Sequence, residues 1–206
     1  DVVALTQKER DEFKRLPFDE KKYKMDLEVE ELLGEEGYTT IERVSARPTL
    51  DCNGIWGGYQ GQGAKTVLPS VAGAKVSMRL VPNQDPDKVA ELFEKYVMKI
   101  VPKSVKVKVT SLHGGKPSVT AIDTPAIKAA VKALKDAFGV DPVFFKEGGS
   151  IPIVNSFNEV LGADAILLGF GLPDDNIHSP NEKFDLNNFY KGISTVAYYY
   201  DELSKI

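Results

Sequence analysis

The chain has two histidines, His113 and His178, and each lies beside residues that form loops. An imidazole can bind a metal or transfer a proton near neutral pH, although a lone histidine is often only a hydrogen-bonded surface residue. His178 is the stronger candidate. It follows an apolar segment that ends near Phe170, and open α/β sheets bind ligands beyond the ends of such strands. The acidic residues before it, Asp174 and Asp175, could orient the imidazole or raise its basicity.

A second candidate is the segment EGGSIP, residues 147–152, which precedes a predicted helix. Glycines before a helix start allow close backbone approach, and free N–H groups there suit a carboxylate or an oxyanion. A plain tight turn is the alternative interpretation. Ser150 and His178 could also suggest a serine hydrolase, but the nucleophile elbow requires Gly-x-Ser-x-Gly, and Pro152 replaces its second glycine.

Two other kinds of site lack the necessary spacing. Residues 58–66 read GYQGQGAKT, but Ala64 interrupts the contiguous Gly-Lys-Ser/Thr of a nucleotide-binding loop. The segment also precedes a strand, so it offers phosphate no helix N-terminus. A catalytic zinc needs about three protein ligands, and spacing alone supplies one. The residues by themselves therefore indicate an anion-binding site around Ser150 and His178.

The composition excludes several classes of protein. The chain has 206 residues and a net charge of −4, with 26 Lys+Arg against 30 Asp+Glu, so a dedicated nucleic-acid binder or a polybasic membrane module is not expected. Its single cysteine, Cys52, cannot form an intramolecular disulfide, and no secretory leader or membrane-length apolar run is present. We expect a cytoplasmic chain. It opens on Asp1 rather than methionine, so we also expect that it was cut from something longer.

Amphipathic stretches with capping signals predict the helices that would position these residues. One helix starts after Thr6 and is broken by Pro17, a second ends at Gly34, and a third starts at Asp85. Further helices are predicted from Thr124 to Gly139, over residues 151–161 and over residues 186–203.

Alternating or continuous apolar residues predict short strands over residues 38–44, 71–81, 105–110, 143–145 and 165–170. In the second of these, Lys75, Ser77 and Arg79 share the polar face. The segment 112–117 reads LHGGKP and predicts a hinge, so we place a domain boundary there. The first part is typical of an α+β layer sandwich, and the second of an α/β unit with too few strands for an independent sheet.

Six blocks of sequence identify a family. They are RPTLDCNGIWGG at 47–58, GAKTVLP at 63–69, SMRLVPN at 77–83, HGGKP at 113–117, EGGSIP at 147–152 and HSPNE at 178–182. In this order they closely resemble the dipeptidase branch of the co-catalytic di-zinc exopeptidases, the group of cytosolic non-specific dipeptidase and carnosinase. The resemblance covers nearly the whole chain.

The resemblance implies a domain organisation. Residues 1–112 resemble a two-layer α/β sandwich lid, or dimerisation, domain that lacks its start. Residues 113–206 resemble the C-terminal half of an α/β zinc-peptidase catalytic domain. In the family the other half supplies a His-x-Asp motif, a bridging aspartate and a glutamate general base. This chain has no His-x-Asp, and its adjacent glutamates, Glu30 with Glu31 and Glu35 with Glu36, lie in its charged N-terminal stretch.

The resemblance also implies roles for individual residues. His178 would be the last zinc ligand, and Arg79 would pair with the carboxylate of the substrate, which suits a guanidinium. Further substrate-binding residues would be the following: Thr66, His113, Asn53, Gly148, Gly149 and Ser150. No catalytic residue is expected within this chain.

The implied activity of the intact enzyme is hydrolysis of dipeptides with a free C-terminal carboxylate. Two divalent metal ions, zinc or alternatively manganese, would activate a water molecule. We expect the present chain to bind no metal stably, to be inactive alone and to form a homodimer through its lid. The alternative is a non-catalytic module that dimerises or binds a peptide or amino acid.

Overall fold

A computed structural model of the chain describes residues 2–148 and 151–206. Helices and a small sheet both occur, in agreement with the predicted α/β class. The helices and strands, in chain order, are α1 Gln7–Phe13, α2 Glu20–Asp26, α3 Thr40–Ala46, β1 Asp51–Gly57, β2 Ala72–Ser77, α4 Pro86–Ile100, α5 Pro125–Phe138, α6 Pro152–Leu161 and α7 Leu186–Leu203.

Most helix starts lie where the capping signals predicted them. Thr6 and Glu9 form a reciprocal capping box at α1, and Asp85 accepts hydrogen bonds from the first turn of α4. Thr124 caps α5, and Gly139 ends that helix in the left-handed conformation that glycine adopts without strain. Side-chain caps satisfy backbone N–H groups locally, which is why short sequence signals located these helices.

Two predictions in the N-terminal part were wrong. The strand predicted over residues 38–44 is helix α3, because Thr39 and Glu42 form a second capping box that β-branched neighbours had obscured. Helix α2 ends at Asp26, well before Gly34. Glu28 takes a left-handed φ of 56° directly after it and turns the chain away.

Strands β1 and β2 form an antiparallel ribbon, in which Asp51 pairs with Ser77 and Gly57 pairs with Ala72. Strand β2 confirms part of the strand predicted over residues 71–81. Strand β1 was not predicted, because its glycines at positions 54 and 57 weaken a strand pattern. The expectation of one buried face was wrong, since Val76 and Ile55 on the apolar face are exposed.

Three other predicted strands are not found as strands. Residues 105–110, 143–145 and 165–170 have no ladder pairing among the described parts of the chain. A strand requires a neighbour for its N–H and C=O groups, and this sequence supplies too few strands to build a parallel sheet by itself.

The chain divides into two units. The first comprises Asp1–Ser118 with Phe145–Asn155, and the second comprises Val119–Phe144 with Ser156–Ile206. In the second unit α5 packs on α7 through small buried side chains, which allow the helix backbones to approach closely. These residues are Ala129, Ala130, Ala133, Gly192 and Thr195. In the first unit, buried Phe13 and Ala46 lie on α1 and α3, which contact each other.

Candidate functional site

Strand β1 contains one extra residue relative to β2. Cys52 pairs with Val76 and Gly54 pairs with Lys75, so Asn53 is the bulged residue of the ladder. A bulge re-aims the local side chain and increases the twist of the strand. Asn53 is exposed, and the bulge interrupts the alternation of side chains around it, because Asp51, two residues before, and Ile55, two residues after, lie on opposite faces of the ribbon.

Arg79 lies just beyond β2, and its backbone continues the ribbon. The Thr49 N–H donates to the Arg79 carbonyl at 3.1 Å, and the Arg79 N–H donates to Thr49 Oγ1 at 3.4 Å. Thr49 Oγ1 in turn donates to Asp51 Oδ2 at 2.6 Å. Because strand side chains alternate, Arg79 shares the polar face of Ser77, which pairs with Asp51.

Arg79 lies on the exposed polar face of the ribbon, together with Lys75 and Ser77. At about 3.4 Å per residue, its backbone position is about 12 Å from that of Asn53 along the strands. The same face carries Trp56, whose indole covers Gly73 so closely that a Cβ at position 73 would overlap it.

Thr66 lies in the loop between β1 and β2, residues 58–71. The Val67 N–H donates to the Lys65 carbonyl at 3.0 Å, so Thr66 is the central residue of a γ-turn. The Tyr59 hydroxyl donates to the Gln62 carbonyl at 3.2 Å, and the Lys65 ammonium lies 5.4 Å from the centre of the Tyr59 ring. All of these contacts are within the loop itself.

His113 is exposed in the segment predicted as a hinge. The next residue, Gly114, lies against Pro86 at the start of α4, where an added Cβ would be 2.6 Å from the Pro86 Cβ. Glycine at this position is therefore required by the close approach of its backbone to the Pro86 ring. This contact fixes the chain beside His113 within the first unit.

Gly148 is exposed, and an added Cβ there would meet no atom within 4 Å among the described residues. The predicted residues Gly149 and Ser150 lie outside the described part of the chain. The segment before them is tied to α1 by Lys146, whose ammonium donates to Glu9 Oε1. This hydrogen bond is the main cause that lowers the pKa of Glu9 to about 2, with further help from the Thr6 N–H.

His178 belongs to a loop, residues 171–183, in which three residues other than glycine have left-handed φ angles. These are Asn176 at 54°, His178 at 62° and Asn181 at 60°. The side chain of His178 is exposed, and within residues 2–148 and 151–206 no hydrogen bond or ion pair engages its imidazole. Strained backbone of this kind persists only where surrounding contacts hold it.

Asp175 supplies those contacts. Its carboxylate is buried and accepts hydrogen bonds from the Leu172 N–H at 2.7 Å and from Lys183 Nζ at 3.0 Å. These two donors lower the pKa of Asp175, the Leu172 N–H most of all. Asp175 does not orient the imidazole by a direct hydrogen bond, because its oxygens accept from Leu172 and Lys183 instead. The only sequence signal for this role was an aspartate and a lysine flanking the loop.

The described residues do not by themselves fit a metal ion. In residues 2–148 and 151–206, no group of three His, Cys, Asp or Glu side chains lies close enough to hold one. Within the same residues, no helix is both long and apolar enough to cross a membrane. The described residues present the exposed imidazole of His178 on one loop and the exposed Arg79 on the polar face of the ribbon.

The chain belongs to peptidase family M20/M25/M40, whose sequence profile matches residues 7–202. This membership confirms the family resemblance.

The individual relatives are dipeptidases. The Cys-Gly metallodipeptidase DUG1 of Saccharomyces cerevisiae is 36% identical over 210 residues, which cover 96% of this chain and 42% of that protein. The Beta-Ala-His dipeptidase of Homo sapiens is 29% identical over 209 residues, 100% of this chain and 41% of the relative. The present chain thus spans about two fifths of the length of the curated relatives that it matches.

Solved structures agree with these relatives. The di-peptidase Dug1p of Saccharomyces cerevisiae matches with a TM-score of 0.83 at 33% identity, over 100% of this chain and 43% of that one. Human carnosine dipeptidase 1 matches with a TM-score of 0.85 at 29% identity, over 100% of this chain and 44% of its own. These matches confirm the α/β fold class.

Proposed function

We propose that the chain is part of a metal-dependent dipeptidase that hydrolyses dipeptides with a free C-terminal carboxylate. The observation that carries the proposal is the similarity to metallodipeptidases along the whole chain, including 36% identity to DUG1 over 96% of its length. The names of the relatives suggest Cys-Gly and β-Ala-His as substrates to test first.

Within this proposal, residues 1–112 form a lid that dimerises, and residues 113–206 form the C-terminal half of the catalytic domain. Arg79 holds the substrate carboxylate with a bidentate pair, and Asn53, which is exposed at the bulge of β1, contributes a hydrogen bond. The remaining substrate contacts are assigned to Thr66, His113, Gly148, Gly149 and Ser150.

His178 is proposed as a ligand of one of two divalent ions, with zinc as the first choice and manganese as the alternative. Its exposed imidazole is compatible with that role. Because one imidazole cannot hold a metal firmly, the other ligands and the general base must come from outside the described residues. We expect the 206-residue chain to bind zinc weakly at best and to hydrolyse no dipeptide alone.

We infer the cellular setting and the partners from the same similarity to metallodipeptidases. We place the enzyme in the cytoplasm as a homodimer, with a dipeptide as its substrate and with neither nucleic acid nor membrane as a partner. Sedimentation of the purified protein at several concentrations measures the dimer directly.

The decisive experiment assays the protein at the full length that its gene encodes, beside the 206-residue chain. Hydrolysis of Cys-Gly and β-Ala-His is compared with hydrolysis of the same peptides carrying a C-terminal amide. The full-length protein should require a divalent ion and should prefer the free carboxylate. Hydrolysis by the 206-residue chain, free of longer contaminants, would contradict the expectation that it is inactive.

Arg79 provides a sharper test. Arg79→Met should lower kcat/KM for the free dipeptide by about 100-fold, because a desolvated carboxylate loses its charged partner. The same substitution should barely change the rate for the amide, so the preference for the free carboxylate over the amide should disappear. Arg15→Met is the matched control, since Arg15 pairs with Glu12 on the surface of α1. Equal losses of kcat/KM for the free dipeptide and for the amide would show that Arg79 does not bind the substrate carboxylate.

If the full-length protein lacks metal-dependent hydrolysis, the alternative applies. A non-catalytic module that binds a peptide or amino acid would still bind a dipeptide, with an affinity that falls in Arg79→Met, whereas a module that only dimerises would not bind it. Calorimetric titration with β-Ala-His separates these two cases.

A further inference from the structure

The loop that carries His178 is closed at its base by one buried side chain. The Asp175 N–H donates to the Leu172 carbonyl at 3.1 Å, and Asp175 Oδ2 accepts from the Leu172 N–H at 2.7 Å. On the other side, the Lys183 N–H donates to the Asp175 carbonyl at 2.9 Å, and Lys183 Nζ donates to Asp175 Oδ1 at 3.0 Å. One residue thus joins both ends of the segment that contains His178.

This closure, formed by the bonds of Asp175 to Leu172 and Lys183, holds the loop in a strained backbone conformation. Left-handed φ angles at Asn176, His178 and Asn181 are uncommon outside glycine, and each adds conformational strain. Besides the closure, a single bond, from the Ser179 N–H to the Asn176 carbonyl at 2.9 Å, spans the middle of the loop. The closure at Asp175 is therefore the main restraint on the conformation of His178.

The imidazole itself is not held by its own contacts. Because no hydrogen bond from the described residues restrains it, the direction of the His178 side chain is set by its backbone. A ligand residue that lacks its own hydrogen-bond partner must be positioned in another way.

We propose that Asp175 is the positioning residue for His178 and that its bonds to Leu172 and Lys183 hold the imidazole ready for a ligand. This inference rests on the proposed function for the identity of that ligand, but the positioning itself exists without one. Asp175 acts through the loop backbone and contacts neither substrate nor metal.

Asp174 offers a matched control. It is adjacent to Asp175 and also pairs with Lys183, at 3.1 Å, but its side chain is 73% exposed whereas that of Asp175 is 2% exposed. Both residues can be changed to asparagine, which preserves size and removes one charge. In Asp175→Asn, the new amide N–H₂ would face either the Leu172 N–H or the Lys183 ammonium at a buried position, where two donors cannot pair. The new amide of Asp174→Asn would be exposed.

The test uses the metal-free 206-residue chain and observes the two imidazoles by NMR. Asp175→Asn should shift or broaden the His178 signals and speed amide exchange of Ser179 and Lys183 by about tenfold, because a charge-assisted bond is lost. The His113 signals should stay in place and report that the first unit is folded. Asp174→Asn should leave all of these unchanged.

Lys183→Met keeps the bond from Leu172 to Asp175 and removes only the ammonium, so it should produce a smaller change of the same kind. Lys183→Met therefore tests the proposal even if the Asp175→Asn variant does not fold. Unchanged His178 signals and exchange rates in both variants would overturn the proposal.

Titration with zinc chloride, followed by the same His178 signals, separates positioning from the proposed function. Weaker zinc broadening of His178 in Asp175→Asn than in the unmodified chain supports both. The alternative outcome is that zinc leaves the His178 signals unchanged in every variant while Asp175→Asn still shifts them. In that outcome Asp175 positions His178, but His178 does not bind a metal.

Discussion

The loop that carries Thr66 and the loop that carries His178 are held by different means. Residues 58–71 are fixed by contacts among themselves, chiefly a γ-turn and the Tyr59 hydroxyl. Residues 171–183 are closed by the buried carboxylate of Asp175. Loops with few buried contacts open at low free-energy cost, whereas a buried charge that is fully bonded resists opening.

The difference separates a loop with a buried anchor from a loop without one. A ligand for a metal must be near its final geometry before binding, since small displacements are costly in a coordination sphere. A residue that closes over a substrate gains from a loop that can move. Under the proposed function, the metal ligand His178 lies on the loop with the buried anchor, and the substrate-binding residue Thr66 lies on the loop whose residues are all exposed.

The largest expected effect comes from removing the anchor. Asp175→Ala leaves the Leu172 N–H buried without its acceptor, and it should lower the thermal midpoint of unfolding by about 5 °C or more. Asp174→Ala, at an exposed position, should change that midpoint by about 1 °C at most. Scanning calorimetry measures both, and equal shifts would mean that the buried Asp175 holds this loop no more firmly than the exposed Asp174 does.

A smaller effect should follow from acid. The pKa of Asp175 is lowered in the folded chain by the Leu172 N–H and by Lys183. Its contribution to stability is therefore complete above the unfolded pKa of about 3.9 and is lost as the pH falls through the lower folded value. Loop 58–71 contains no carboxyl group, so acid should leave it unchanged.

Backbone NMR between pH 5 and pH 2 checks this difference. The amide signals of Ser179 and Lys183 should move as Asp175 is protonated, while that of Val67 should not. Asp174→Asn should keep the same transition, which assigns it to Asp175. A simultaneous change at Val67 would show that acid unfolds the chain as a whole.

The contrast between the loops also shows what the sequence could predict. Caps at Thr6, Asp85 and Thr124 act within one turn, so their helices were located from a few residues. The polar face that contains Arg79 followed from alternation in the same way. The anchor at Asp175 could not be predicted, because it depends on bringing together the Leu172 N–H and the Lys183 side chain.

The errors have a similar origin. Helix α3 was mistaken for a strand because its apolar residues favour either structure, and only the capping box at Thr39 distinguishes them. Asn53 was identified through the family resemblance alone. Its position at a bulge depends on pairing with β2, which is a contact distant in sequence. Exposed apolar residues on α7, such as Phe189 and Ile193, likewise have no sequence signature that separates them from buried ones.

The smallest expected effect concerns the loop of Thr66 itself. Tyr59→Phe removes the hydroxyl that donates to the Gln62 carbonyl but keeps the ring beside Lys65. Because this bond is exposed to water, its loss should change the free energy of unfolding by no more than about 0.5 kcal/mol. Amide exchange of Val67 should remain fast in both proteins. Slow exchange of Val67 in the unmodified chain, abolished by Tyr59→Phe, would mean that Tyr59 anchors this loop as Asp175 anchors the other. The contrast between a loop with an anchor and a loop without one would then be wrong.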